Sequence, residues 1–375
     1  MSSLYLHIPF CRSKCFYCDF YSQVGSSAQL SDYVELLHTD LRLLAQQSPQ
    51  SSFETIFFGG GTPSLLSVTQ VAGLLRQIEQ DFALAADCEI SLEANPGTLA
   101  AEKLHGYRDA GVNRLSLGVQ TFSAERLQQL GRSHAAAEAR QSVKLARAAG
   151  FNNLNLDLMF SLPGQTCRQL QDDLESLLEL PPQHLSLYGL SFESGTELSA
   201  SLKRGELREN CDEVYAEQYR LLVASMATAG FEHYEISNFA RPGKRCRHNQ
   251  VYWRRQPCLA VGSGAHSFTA AGWGERWQRP ELDAYRAKLF AGENPGELLE
   301  RFDRQGAMAE SLYLALRTRD GQSRVVFHQQ FGVFPEDAFP AAFVQLGERL
   351  RLNADHWQFD LEAWLLYDHF ISAFL

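Results

Sequence analysis

What is scarce in this sequence narrows its chemistry first. No uninterrupted apolar run approaches the ~18 residues of a membrane span, so the chain is not expected to be a membrane protein itself. Positive charge is in deficit: 34 Lys and Arg stand against 44 Asp and Glu, a net charge of −10. That balance disfavours nucleic acid or an anionic lipid surface as the main partner. A leader is lacking too, because Met1-Ser2-Ser3 runs straight into an apolar strand; the expected location is cytoplasmic. Nor is there a disulfide framework, with eight cysteines spread over 375 residues. Cys88, Cys167, Cys211, Cys246 and Cys258 are scattered and read as free thiols. The remainder is ordinary globular chemistry, 45% apolar and 21% charged, with length for two or three domains.

What is present is concentrated near the start. Cys11, Cys15 and Cys18 fall in eight residues with the spacing C-x3-C-x2-C, directly after the apolar run Leu4–Ile8. Thiolates so spaced can converge on one face of a loop and hold three irons of a cubane [4Fe–4S] cluster. The fourth iron then lacks a protein ligand and can take a small cofactor, as S-adenosylmethionine (SAM) does through its amino and carboxylate groups. The competing reading is a zinc knuckle, although zinc prefers four ligands in C-x2-C pairs. The spacing resembles the signature of the radical SAM superfamily.

Behind that loop the chain alternates. Short β-rich runs at Leu4–Ile8, Thr55–Phe58, Glu89–Glu93, Arg114–Val119, Leu154–Phe160 and His184–Leu190 are separated by segments with apolar residues at helical spacing. Crossovers longer than a dozen residues mean a parallel sheet. Six such units predict an α/β fold, a partial (β/α)6 TIM-like barrel of the radical SAM kind. The reading divides the chain into a core at 1–235, a connecting segment at 236–300 and a C-terminal unit at 301–375. The last combines helical runs with a two-stranded wing near Leu350–Phe359 and predicts a small helical, winged-helix-like domain; the acidic balance and the lack of a basic cluster argue against nucleic acid there.

In parallel barrels chemistry sits at the C-terminal strand ends, and the unusual residues fall there. The second run ends in Gly59-Gly60-Gly61-Thr62-Pro63-Ser64, whose backbone can approach a charged ligand closely. The third ends at Glu93-Ala94-Asn95-Pro96, a carboxylate suited to ribose hydroxyls, the fourth at Gly118-Val119-Gln120, and the fifth carries Asp157. A polar residue in such a strand needs a hydrogen-bond partner, and these three could equally pin neighbouring loops. Arg132 reads as solvent-facing on composition alone.

Over nearly its whole length the chain resembles the oxygen-independent coproporphyrinogen III oxidase family of radical SAM proteins. The resemblance is carried by Tyr5-Leu6-His7-Ile8-Pro9-Phe10-Cys11, Gly59-Gly60-Gly61-Thr62-Pro63-Ser64, Glu93-Ala94-Asn95-Pro96-Gly97, Gly118-Val119-Gln120-Thr121-Phe122, Leu162-Pro163-Gly164-Gln165-Thr166 and Gly264-Ala265-His266-Ser267. It implies SAM contacts for Tyr5, Tyr17, Gly60, Gly61, Thr62, Glu93, Gln120, Arg132 and Asp157. Two features divide that family. The true oxidases carry a further cysteine two residues after the third ligand, where this chain has Phe20, and begin with an extra segment for which three residues leave no room. Cys246-Arg247-His248-Asn249-Gln250-Val251-Tyr252-Trp253 matches the H-N-x-x-Y-W signature of the heme chaperone branch, which implies His248 as a heme ligand. Thiolate ligation by Cys246 or Cys258 is the competing account. The expectation is a carrier that binds heme, cluster and SAM and passes heme to an acceptor protein, membrane-associated or not, with no catalytic residue assigned. The alternative is an enzyme that cleaves SAM and acts on a porphyrin, such as an oxygen-independent coproporphyrinogen III dehydrogenase.

Overall fold

A computed structural model describes residues 2–374. Its frame is a mixed sheet with a parallel middle. Strands β1 (Ser2–Ile8), β2 (Ser52–Gly60), β3 (Ala83–Ala94), β4 (Arg114–Gln120), β5 (Leu154–Phe160) and β6 (His184–Gly189) pair in succession, each parallel to the one before. Helices α1 (Ser27–Gln47), α2 (Val68–Asp81), α3 (Ala101–Asp109), α4 (Ala136–Ala148) and α5 (Cys167–Leu178) fill the crossovers, and α6 (Asp212–Thr228) follows β6. The strand order is linear, so the barrel is open, as six β/α units predict.

Local sequence explains these elements. Ser26 with Gln29, Ser67 with Gln70 and Thr166 with Gln169 form reciprocal capping boxes that start α1, α2 and α5. Leu30, Tyr33, Val34, Leu37, Leu41 and Leu44 set one buried stripe along α1. β4 is buried along its whole length, as a strand covered on both faces must be.

The expected division at 235 does not match the sheet, while the one at 300 falls where the sheet ends, at Arg301. β7 (Glu232–Glu235) and β8 (Asn238–Ala240) extend it antiparallel beyond β6. After α7 (Arg247–Trp253), β9 (Cys258–Val261) returns to the opposite flank and pairs parallel with β1. β10 (His266–Thr269), β11 (Glu275–Gln278) and β12 (Glu297–Arg301) continue from it as an antiparallel ladder. Residues 236–300 therefore belong to the barrel's own sheet, and their four- and five-residue strands were too short to show a period. One buried ion pair ties this return to the first helix. Asp40 of α1, 0% exposed, accepts from Arg279 Nη2 at 3.1 Å and Nε at 3.2 Å, from Tyr285 Oη at 2.9 Å and from the Gly262 amide at 3.0 Å.

The C-terminal unit has its own core of Leu312, Phe327, Phe331, Leu350, Phe359 and Trp364 among others. It contains α8 (Arg304–Ala315), α9 (Arg324–Phe331) and α10 (Pro340–Leu346), with a three-stranded sheet ordered β13 (Gln322–Ser323), β15 (His356–Phe359), β14 (Leu350–Asn353). The β14–β15 hairpin is the expected wing. Ion pairs Arg220–Glu362 at 2.6 Å and Arg255–Glu310 at 2.5 Å fasten it to the barrel, as does a bond from the Arg319 amide to the Tyr234 carbonyl at 2.9 Å. Among the described residues no helix is long and apolar enough to cross a membrane.

Candidate functional site

The cysteine loop leaves β1 at the C-terminal end of the parallel strands and is held at its midpoint. Phe16, between Cys15 and Tyr17, donates its amide to the Leu130 carbonyl at 3.0 Å and accepts from the Leu198 amide at 2.8 Å. Behind the loop is a cavity of about 430 Å³. Cys11, Cys15, Cys18, Tyr17, Gly60, Gly61, Thr62, Glu93, Gln120, Arg132 and Asp157 all border it. Tyr5 does not; it sits one layer beneath, its hydroxyl 3.1 Å from His7 Nδ1 and its ring against Gly59.

The sulfur atoms are set in a polar frame. Thr62 Oγ1 donates to Cys11 Sγ at 3.4 Å, and Arg132 Nη1 donates to Cys15 Sγ at 3.4 Å. Asn95 joins the two, donating to Thr62 Oγ1 at 3.0 Å and accepting from Arg132 Nη2 at 2.6 Å. Both bonds to sulfur favour thiolate over thiol. Burial alone works the other way and raises the Cys11 and Cys18 thiols, which a coordinated metal would deprotonate outright. Gly61 is required by space, since a Cβ there would lie 2.7 Å from the Phe10 carbonyl and 3.0 Å from Cys11 Sγ. Gly60 adopts φ 110°, and a side chain there would strike the His7 ring. Arg132 Nε is buried and has no partner among the described residues. Three adjacent thiols, a backbone cradle and an unsatisfied guanidinium nitrogen fit a cluster with a polar cofactor beside it. A structural zinc needs four ligands, and the loop offers three cysteines.

Deeper in the cavity two carboxylates face inward from β3 and β5. Glu93 Oε2 accepts the Gly60 amide at 3.2 Å. Burial, and then the charge of Asp157, push its carboxyl up to about 8. Burial raises Asp157 as well, opposed by hydrogen bonds from Asn155 at 2.6 Å and Ser116 at 3.3 Å. Such groups can accept or donate hydrogen bonds to the hydroxyls of a sugar. Gln120 closes β4 at φ 68°, a strained backbone for a residue with a side chain. The sequence reading missed Arg114 at the floor, 1% exposed, with Nε and Nη2 unpartnered among the described residues. An arginine opening an otherwise apolar strand was the available signal. Met159 also borders the cavity, two residues beyond Asp157 and so on the same face of β5.

His248 is placed in the core. It lies in the first turn of α7, 1% exposed, with its ring stacked on Phe57 at 5.0 Å between centroids. Nδ1 is 2.7 Å from Thr55 Oγ1 and Nε2 is 2.8 Å from Tyr252 Oη, so both ring nitrogens are engaged. Burial, then Arg114, push the imidazole down to about 3, which keeps it neutral. In this structure both ring nitrogens of His248 are hydrogen-bonded within the core. Cys246 and Cys258 are buried too, and burial pushes each thiol up to about 12. Glu89 caps the same helix, accepting the Arg247 amide at 3.0 Å. Its neighbour Asn249 reaches the cluster cavity, whereas Trp253 borders a different one of about 790 Å³ beside the C-terminal unit.

A sequence model of the radical SAM superfamily matches residues 5–177. A Bacillus subtilis protein named heme chaperone HemW is 35% identical over 351 residues, covering 93% of this chain and 92% of its own. An Escherichia coli protein of the same name is 42% identical over 268 residues, 70% and 69% of the two chains. Among solved structures, the coproporphyrinogen III oxidase HemN of Escherichia coli, described as a radical SAM enzyme, superposes with a TM-score of 0.86. It covers 99% of this chain and 89% of its own at 23% identity, a likeness of fold.

Proposed function

Because the chain belongs to the HemW heme chaperone family within the radical SAM superfamily, we propose that it binds heme and hands it to an acceptor protein in the cytoplasm. In this reading Cys11, Cys15 and Cys18 hold a [4Fe–4S] cluster whose open iron, when present, supplies a seat for the amino and carboxylate groups of SAM and one-electron chemistry. Gly60, Gly61 and Thr62 offer backbone to the methionyl end, while Glu93 and Asp157 take the ribose hydroxyls. Arg132 orients the Cys15 sulfur, Tyr17 and Gln120 bound the cofactor from the sides, and Tyr5 supports the floor through Gly59.

The observation that carries the proposal is the match, along nine-tenths of both chains, to a protein named heme chaperone. Phe20 supports it. It stands where the oxidases have their further cysteine, is 67% exposed at the cavity rim, and offers no sulfur. The oxidase reading draws on a likeness of fold, which many chemistries share. The two separate in one anaerobic experiment on the chain reconstituted with iron, sulfide and SAM. Ferric heme should give a saturable Soret change, and coproporphyrinogen III should remain unconverted. Multiple-turnover formation of protoporphyrinogen IX would overturn the carrier and restore the oxidase.

A further inference from the structure

The cavity behind the cysteine loop has an end that the residues assigned to SAM leave unused. Arg114 borders it from the first position of β4, so its Cα lies roughly 20 Å along that strand from Gln120 at the cluster end. Among the described residues three arginines are buried, Arg114, Arg126 and Arg279. Arg279 turns Nε and Nη2 to the two oxygens of Asp40, and Arg126 is held by the Pro163 carbonyl at 3.0 Å and Gln169 Oε1 at 2.8 Å. Arg114 is the deepest of the three, 1% exposed, yet its Nε and Nη2 have no partner. These two N–H groups form one edge of the guanidinium. It is the edge that Arg279 gives to Asp40 and that Arg220 gives to Glu362, at 2.8 and 2.6 Å. The acceptors around Arg114 are committed elsewhere. Asp157 accepts from Asn155 and Ser116, and Glu89 accepts the amides of Arg247 and His248. Ser91, the register partner of Arg114 on β3, is also buried with an unpartnered hydroxyl.

A buried charge without a partner costs stability, and a fork of two parallel N–H groups is matched to the two oxygens of a carboxylate. The cavity that reaches this fork is about 430 Å³, within the roughly 300–1,000 Å³ of ligand sites. We propose that Arg114 forms a carboxylate-binding subsite at the end of the cavity away from the cysteine loop, its Nε and Nη2 donating to the two oxygens of a ligand carboxylate. None of the residues assigned to SAM takes part in it. Two sources offer this chemistry. One is a propionate of heme, which rests on the heme reading above; the other is a free small carboxylate, which stands on the geometry alone. Asn249 of α7 borders the same cavity, so the helix that carries His248 is also part of the wall a carboxylate would meet.

The test uses the full-length chain with its cluster reconstituted, as wild type, Arg114→Gln and Arg114→Lys, the last keeping the charge and losing the fork. In one arm carboxyl-labelled ¹³C-acetate is titrated against a constant chloride background and its line width followed. A free carboxylate as occupant predicts saturable broadening in the wild type, none with Arg114→Gln, and binding weaker by roughly tenfold with Arg114→Lys. In the other arm the chains are titrated with ferric heme and with ferric heme dimethyl ester, which lacks both carboxylates. A propionate as occupant predicts that the wild type prefers heme to the diester by roughly tenfold to a hundredfold and that Arg114→Gln binds the two equally. Without ligand, Arg114→Gln should keep the cluster's visible absorption and unfold in urea at a midpoint no lower than the wild type, since it removes an unpaired buried charge. Should it fail to fold by circular dichroism, Arg114→Lys is compared with the wild type in both titrations. Titrations that are the same in the wild type and the variants mean that water alone meets the fork, and they overturn the subsite. A wild-type chain that fails to bind ferric heme overturns the heme reading, and the acetate arm then decides the subsite by itself.

Discussion

Glu93→Gln should flatten the pH dependence of stability of the iron-free chain. A carboxyl pushed up to about 8 keeps its proton in the fold at pH values where the unfolded chain, near 4.5, has released it. Between those values the native state binds the extra proton, so stability is full below about 4.5 and is lost as pH rises through about 8. At about 1.4 kcal/mol per pH unit the window would cost about 5 kcal/mol for a dry carboxylate. Glu93 is half-buried and borders a cavity open to water, so screening should reduce this to about 2 kcal/mol. Glutamine retains an oxygen for the Gly60 amide and has nothing to titrate. Urea unfolding followed by far-UV circular dichroism from pH 5 to 8.5 gives the comparison. The wild type should lose about 2 kcal/mol more than the variant across that range. Parallel curves for the two proteins would refute the burial argument, because the same loss would then arise from other groups.

Four further outcomes test the architecture. Cys15→Ala should abolish the broad visible absorption of the reconstituted cluster, and exposed Cys211→Ala should leave it intact; equal iron and sulfide in both would be fatal to the cluster loop. Gly61→Ala places a methyl group against Cys11 Sγ and the Phe10 carbonyl, so iron content should fall although every cysteine is present, and full loading would show that the cradle yields. Asp40→Asn leaves Arg279 buried without its charge partner and should cost about 3–5 kcal/mol in urea unfolding; an unchanged midpoint would mean that water reaches the pair. His248→Ala opens a void and takes one partner from each of the Thr55 and Tyr252 hydroxyls, for a loss of about 2–4 kcal/mol with the cluster spectrum retained, and a stability equal to wild type would contradict its role in the core.

The sequence displayed what is local and repeated. Each β/α unit carries its own periodicity and caps, so the six-unit barrel could be read before any contact was known. Glu93 and Asp157 stood out because a carboxylate in an apolar strand needs a reason. What stayed hidden depends on partners distant in the chain. β9 through β12 are only four or five residues long, and β9 is defined by pairing with a strand some 250 positions earlier. Arg132 reads as solvent-facing on composition, but the fold brings it against Cys15, 117 positions away. Nor does the sequence reveal that Thr55 and Tyr252 engage both ring nitrogens of His248.

The pairing of β1 with both β2 and β9 has a consequence for how the chain is made. The strand that launches the cysteine loop leaves the ribosome well before its second neighbour, Cys258–Val261. Until then one flank of β1 exposes unpaired backbone groups, and Asp40 waits for Arg279. At roughly 5–20 residues per second the gap is on the order of ten to fifty seconds. During that interval all three thiols of the loop exist in a nascent chain whose barrel has one side missing. The loop is made well before the strand that flanks it, so a chain interrupted before residue 261 retains Cys11, Cys15 and Cys18 and loses that flanking strand.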